Sequence, residues 1–356
     1  MLVGSFPGPE LSVAKGYPER REGLQDCVRA PHVQLTGPRL SWQHGGMSAT
    51  APLIQARGLT KRFGSTLAVD DLSFTVEPGK VTGFLGPNGA GKSTTLHLML
   101  GLVRGGGHTL FDGRPYRELA CPMRVVGAML EAKAFHPRRS ARNHLRMLAA
   151  AARVSDRRVD QLLEEVGLSS VGHRRAGGFS LGMAQRLGLA AALLGEPRAL
   201  LLDEPANGLD PHGVAWLRQL LRAQAASGRA VLVSSHLLAE MQLLADHVLV
   251  IGRGRLLADQ PTDRLLGRSL RSRVLVRSPD ADRLAELLVG RGATVRRSGA
   301  DELTVLGLDT RAVGELAHQH RLRLHELASR SASLEAAFLE LVGGEVDYLQ
   351  AGAGRP

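Results

Sequence analysis

The chain has 356 residues, 44% hydrophobic and 22% charged, long enough to bury a sizeable core and to hold two domains. It has no run of eighteen apolar residues and no charged start ahead of an apolar segment, and its two cysteines, Cys27 and Cys121, make no framework; neither a spanning helix nor a secretory leader is expected, and a reducing cytosol is. Most of the net charge of +11 sits in residues 47–267, with 27 basic and 18 acidic groups, yet aromatic residues are only 4% and none interleaves with the arginines; this argues against nucleic acid and for a polyanionic nucleotide or an anionic membrane face.

Residues 1–46 contain scattered glycine and proline, no sustained period and no motif. They are expected to be disordered or to reflect an upstream start, with Met47 the more natural first residue. From Leu53 the pattern turns to strands. Residues 54–59 and 72–76 alternate, and Glu77-Pro78-Gly79-Lys80 turns the chain into the apolar run 81–85. Between the first two strands, Phe63 precedes a glycine and reads either as core or as a flat partner for an adenine face.

The run 81–85 leads into Gly86-Pro87-Asn88-Gly89-Ala90-Gly91-Lys92-Ser93-Thr94 and then a buried helix from Thr95. All four fixed positions of GxxxxGK[ST] stand between a strand and a helix, the setting a phosphate cradle needs. Gly86, Gly89 and Gly91 let the backbone curl with its N–H groups inward. Lys92 brings a point charge to the β- and γ-phosphates, and the Ser93 hydroxyl can ligate Mg²⁺.

Residues 125–131 read as a strand ending on the carboxylate of Glu131. Helical periods follow over 143–153 and 156–166, with seven arginines between 138 and 158; these read either as a solvated face or as a surface near acidic lipid. Ser180 opens an alanine- and leucine-rich helix, as an N-cap or as part of an anion contact. Residues 199–202 form an apolar strand ending on Asp203 and Glu204, two acids costly to bury unless a cation or a proton-transfer role compensates. Asp203 suits a Mg²⁺ shell and Glu204 a base that orients attacking water. A turn over 207–211 and a helix lead to the strand 230–235, with His236 at its C-terminal end, where parallel sheets bind ligands.

Beyond residue 270 the pattern predicts a strand over 273–276, a helix over 280–289, a hairpin of 294–297 with 303–306, a helix over 309–318 and a strand over 322–327. Leu334, Ala337, Phe338 and Leu341 then mark an apolar helix face. This β-α-β-β-α-β order is that of a small ferredoxin-like α+β domain, expected to regulate or to stabilise a dimer.

In this order the motifs resemble the nucleotide-binding domain of ATP-binding cassette (ABC) transporters over roughly 53–265. Phe63 matches the A-loop aromatic, Gly86 to Thr94 Walker A, Phe179 to Gln185 the signature, Leu200 to Glu204 Walker B, Gly208 to Asp210 the D-loop and His236 the switch histidine. Two positions depart from the usual pattern: the signature reads Ser-Leu-Gly-Met, and Glu131 stands at the Q-loop glutamine. Both departures, with the C-terminal extension, are similar to the bacitracin, lantibiotic-immunity and daunorubicin-type exporter branch.

The resemblance implies an α/β P-loop ABC ATPase core over 47–267 with a helical subdomain at about 132–195, an accessory domain over 268–345 and a tail over 346–356. It implies ATP and Mg²⁺, with Ser93, Asp203 and Glu131 at the metal and Glu204 and His236 catalytic. Because the P-loop holds phosphate from one side only, Ser180, Gly182, Gln185 and Asp210 are expected to act in trans within a head-to-tail pair of copies. The pair is expected at the cytoplasmic face of the membrane, powering efflux of a drug, antibiotic or peptide through a separate integral membrane permease. The alternative is a non-transport ABC ATPase of DNA maintenance or of the ribosome. The 86 residues between Ser93 and Ser180 leave no room for the coiled-coil arms of the first, and the second normally carries two cassettes in one chain.

Overall fold

The computed structural model describes residues 52–269, 273–330, 333–335, 337–339 and 341; the expectations for 1–46 and 346–356 lie outside them. β1 (Ile54–Phe63) and β2 (Thr66–Val76) pair as a hairpin turning at Gly64, whose φ is 54°. β3 (Val81–Leu85) runs through the glycine-rich loop into α1 (Lys92–Met99). β4 (Gly106–Phe111) and β5 (Arg114–Pro115) extend the hairpin sheet, and α2 (Pro122–Val125) precedes β6 (Val126–Met129).

Three helices follow: α3 (Ala141–Ala152), α4 (Asp156–Glu165) and α5 (Leu181–Leu193). Ser140 and Ser180 cap α3 and α5 with hydroxyls that accept from the N–H groups of Asn143 and Met183. The chain then alternates through β7 (Ala199–Asp203), α6 (Pro211–Ala226), β8 (Ala230–Ser235), α7 (Leu238–Leu244), β9 (His247–Gly252), β10 (Arg255–Pro261) and α8 (Thr262–Ser269).

The central sheet has the order β10-β9-β3-β8-β7-β6, parallel except for the β9/β10 edge pair. Its parallel strands are largely apolar because both faces are covered, whereas the edge strand β10 is not. Phe84, Leu201, Leu232 and Leu249 pack with the hairpin sheet and α1, while Leu85, Leu202, Val233 and Val250 pack with α5, α6 and α7. Alternate residues of one strand thus anchor two separate apolar layers.

Past residue 272, β11 (Arg273–Arg277), α9 (Ala281–Gly290), β12 (Thr294–Arg297), β13 (Glu302–Leu306), α10 (Thr310–Gln319) and β14 (Glu326–Arg330) form an antiparallel sheet of order β12-β13-β11-β14, the ferredoxin-like arrangement. The final strand starts later than 322. Pairing with β11 begins at Glu326 opposite Arg277, and Leu322 and Leu324 pack instead against the small apolar cluster under the sheet. Farther on, Leu334, Ala337 and Phe338 return to the ATPase-type core and share its apolar cluster with Met241 and Leu244 of α7. The Leu334 N–H donates to Gln242 Oε1 at 2.8 Å.

Candidate functional site

Strand register brings three chain segments to one edge. Leu85 of β3 lies opposite Ser235 of β8, and Ser234 lies opposite Asp203 of β7, so the loop after β3, the acids at the end of β7 and His236 leave the sheet together at its C-terminal edge. In that loop Gly91 has φ 104°, and a Cβ there would fall 2.4 Å from the Ala68 carbonyl oxygen. At Gly86 a Cβ would fall 2.7 Å from the Ile251 oxygen. The loop is therefore pressed between β2 and β9, and only glycine fits at these two positions. Ala68, Asn88, Gly89, Gly91 to Thr94 and Glu204 line a cleft of about 230 Å³.

Lys92 opens α1 and turns back along the loop, where its Nζ donates to the carbonyls of Gly86 at 2.7 Å and Pro87 at 3.3 Å. Glu204 Oε1 lies 3.8 Å from it. The ammonium is only 7% exposed, and burial holds its pKa below the ordinary lysine value against the opposing pull of Glu204 and Asp203. A buried cation held by two neutral oxygens and one distant carboxylate is short of negative charge, and a phosphate would supply it.

Glu204 follows β7 with φ 48°, a left-handed conformation costing a non-glycine residue about 1–2 kcal/mol. Its N–H donates to Ser234 Oγ at 2.9 Å, and the Ser234 hydroxyl donates in turn to Asp203 Oδ1. His236 Nδ1 lies 2.8 Å from Glu204 Oε2; since a carboxylate only accepts, that nitrogen carries the hydrogen. Glu204 thus sits between Lys92 and His236, at a cleft shaped for phosphate. Ser234 escaped the sequence reading, although a hydroxyl directly after the apolar run 230–233, still within the strand, was the available signal.

The remaining candidates divide. Phe63 is 51% exposed, with Lys61 Nζ 4.7 Å from its ring centroid, so it is a surface ring and not core. Ser180, Gly182, Gly208 and Asp210 form a second, separate group that does not line the cleft. Leu181 packs on Gly208 so closely that a Cβ there would lie 2.2 Å from Leu181 Cδ2. Asp210 accepts from the Gly213 N–H at 2.8 Å and caps α6.

One expectation needs correction. Gln185 does not present itself to a second copy: it is 3% exposed, and its Nε2 donates to the carbonyls of Glu204 and Asn207 of its own chain at 3.4 and 3.0 Å. The buried face of α5 points it there, tying the helix to the segment after β7. Glu131 lies beyond the end of β6 and is exposed; like Asp203 and His236, it is not among the residues lining the cleft. Three of the seven arginines pair within the chain, Arg142 with Asp160, Arg146 with Asp156 at 3.1 Å and Arg158 with Glu165 at 3.7 Å.

The ABC transporter family model matches residues 69–207, and a domain of unknown function (DUF8746) matches 272–335. The chain is 34% identical over 303 residues to the uncharacterized ABC transporter ATP-binding protein YhcH of Bacillus subtilis, covering 84% of this chain and 98% of that protein. It is 39% identical over 221 residues to the bacitracin transport ATP-binding protein BcrA of Bacillus licheniformis, covering 61% and 72%. It is 33% identical over 310 residues to the Nod factor export ATP-binding protein I of Bradyrhizobium diazoefficiens, covering 85% and 100%. A solved ATP-binding subunit of an ABC transporter superposes with a TM-score of 0.56 at 28% identity, covering 61% of this chain and 93% of that one. With a cleft of this construction and relatives matched along almost their whole length, the chain belongs to the ATP-binding proteins of ABC transporters.

Proposed function

We propose that this chain hydrolyses ATP to drive efflux of a drug, antibiotic or peptide through a separate integral membrane permease. The observation that carries the reading is Glu204, held at the mouth of a phosphate-shaped cleft between Lys92 and His236. The loop from Gly86 to Thr94 grips the phosphates with backbone N–H groups, and Lys92 leaves its carbonyl partners to neutralise them. Phe63 offers its exposed ring to adenine. Glu204 orients water in line with the γ-phosphorus, and His236, oriented by that same carboxylate, holds the transferred group.

Mg²⁺ fits the donors present. Ser93 provides a hydroxyl on the first turn of α1, and Asp203 a carboxylate fixed by Ser234. One carboxylate and one hydroxyl suit a cation whose other ligands are phosphate and water oxygens, and once bound it neutralises charge on the phosphates. Glu131, an exposed carboxylate just past β6, is the third candidate ligand.

The group of Ser180, Gly182 and Asp210, with Ser180 and Asp210 exposed, serves the cleft of a second copy, so two chains close head to tail around two nucleotides. No helix among the described residues is long and apolar enough to cross a membrane, so the work of closure passes to the permease at the cytoplasmic membrane face. The name of the Nod factor export protein supports export as its direction. The domain formed by 273–330 regulates this cycle through the segment that returns to α7. Phosphate release by the purified chain, compared with Glu204→Gln, tests the chemistry: loss of steady-state turnover is expected, and an unchanged rate removes Glu204 from its role.

A further inference from the structure

Ser234 is wholly buried in a strand whose preceding residues are all apolar. A hydroxyl removed from water must place its hydrogen and a lone pair within the protein, and this one does so on two consecutive residues. It donates to the side chain of Asp203 and accepts from the main chain of Glu204. The neighbouring Ser235 cannot replace it: strand alternation turns it to the other face, where it accepts from the Leu237 N–H at 3.0 Å.

The two bonds fix different things. The bond to Asp203 Oδ1 sets the rotation of the carboxylate that would face the cation. The bond from the Glu204 N–H secures the left-handed turn, with φ 48°, that sends the Glu204 carboxylate toward Lys92 and His236. Without the hydroxyl, Asp203 is free to rotate and the Glu204 N–H loses its acceptor beside a buried strand.

We propose that Ser234 is a positioning residue for ATP hydrolysis, fixing Asp203 for the metal and Glu204 for water. This rests on the roles given to Asp203 and Glu204 above. Loss of such an outer contact typically weakens metal affinity or activity about 10- to 100-fold.

The test compares Ser234→Ala, Ser234→Thr and Glu204→Gln with the parent. It measures kcat, KM for ATP, ATP binding in EDTA, and Mn²⁺ affinity of the nucleotide-loaded protein by electron paramagnetic resonance. Ser234→Ala is expected to lower kcat and Mn²⁺ affinity by roughly 10-fold or more, with KM and metal-free ATP binding near the parent. Ser234→Thr, which keeps the hydroxyl, is expected to recover both. Parental kcat and Mn²⁺ affinity in Ser234→Ala overturn the proposal, as does loss of metal-free ATP binding in that variant or equal impairment in Ser234→Thr, either of which marks a packing defect. An inactive Glu204→Gln beside an unaffected Ser234→Ala overturns only the role of Ser234, whereas an active Glu204→Gln overturns both readings.

Discussion

Replacing Lys92 with methionine should separate nucleotide binding from folding. The ammonium is buried, and its pKa is held down by that burial, so the folded chain bears a desolvation cost that the two carbonyl contacts and the 3.8 Å approach of Glu204 only partly offset. Methionine removes the desolvation cost, and the carbonyls and Glu204 it leaves behind border a cleft that water can enter, so stability without nucleotide should stay within about 1 kcal/mol of the parent. Binding should suffer far more. A hydrogen bond to a charged group contributes about 1.5–3 kcal/mol, so its loss weakens ATP binding roughly 10- to 150-fold. With ATP at 100 times the parent Kd, the parent gains about 2.7 kcal/mol of stability, and a variant weakened about 100-fold gains only about 0.4. At about 2–4 °C per kcal/mol, thermal unfolding in EDTA should show an ATP-induced rise of roughly 5–10 °C in the parent and about 1 °C in Lys92→Met. A parental ATP shift in the variant, or a loss of several kcal/mol without nucleotide, would refute the reasoning.

Phe63→Ala should weaken ATP binding about 5- to 150-fold, the worth of one base-stacking contact, while leaving pyrophosphate binding unchanged; equal losses for both ligands would contradict stacking. Burial, with a lesser push from Arg139, holds His144 below the ordinary histidine pKa. Below about pH 6.5 the unfolded chain therefore binds a proton that the folded chain refuses, and stability should fall with pH by at most about 1.4 kcal/mol per unit, a slope that His144→Leu removes. Denaturant titrations of both proteins from pH 7.5 to 5.5 check this, and parallel curves would refute it. Leu334 is fully buried against the core, so Leu334→Ala should loosen that segment by about 2–5 kcal/mol. Amide exchange in α7 should then quicken roughly 30-fold or more, and unchanged α7 exchange would show that the segment does not restrain it.

Much of the site was legible because its chemistry is local. The glycine loop announces itself through spacing between an apolar run and a helix, and β3 spans Val81–Leu85 because Gly79-Lys80 and Gly86 bound it on both sides. The acids at the end of β7 and the histidine after β8 were legible for the same reason. What the chain did not disclose depends on partners distant in sequence. The bridge from Ser234 to Asp203 and Glu204 spans about thirty positions and exists only through the β7/β8 register. The inward turn of Gln185 depends on where α5 meets the segment after β7, which no local pattern encodes. β14 starts at Glu326 because β11 sets its pairing, although the apolar period begins at Leu322. The face formed by Leu334, Ala337 and Phe338 was visible as amphipathic, but periodicity gives no address, and only the fold sends it to α7.

The central claim is that two copies close around ATP and reopen on its hydrolysis. Light scattering on size-separated Glu204→Gln with saturating ATP and Mg²⁺ addresses it most directly. The account predicts a species of twice the 38.1 kDa chain mass that dissociates when nucleotide is removed. A single-chain mass at every protein concentration tried would contradict it.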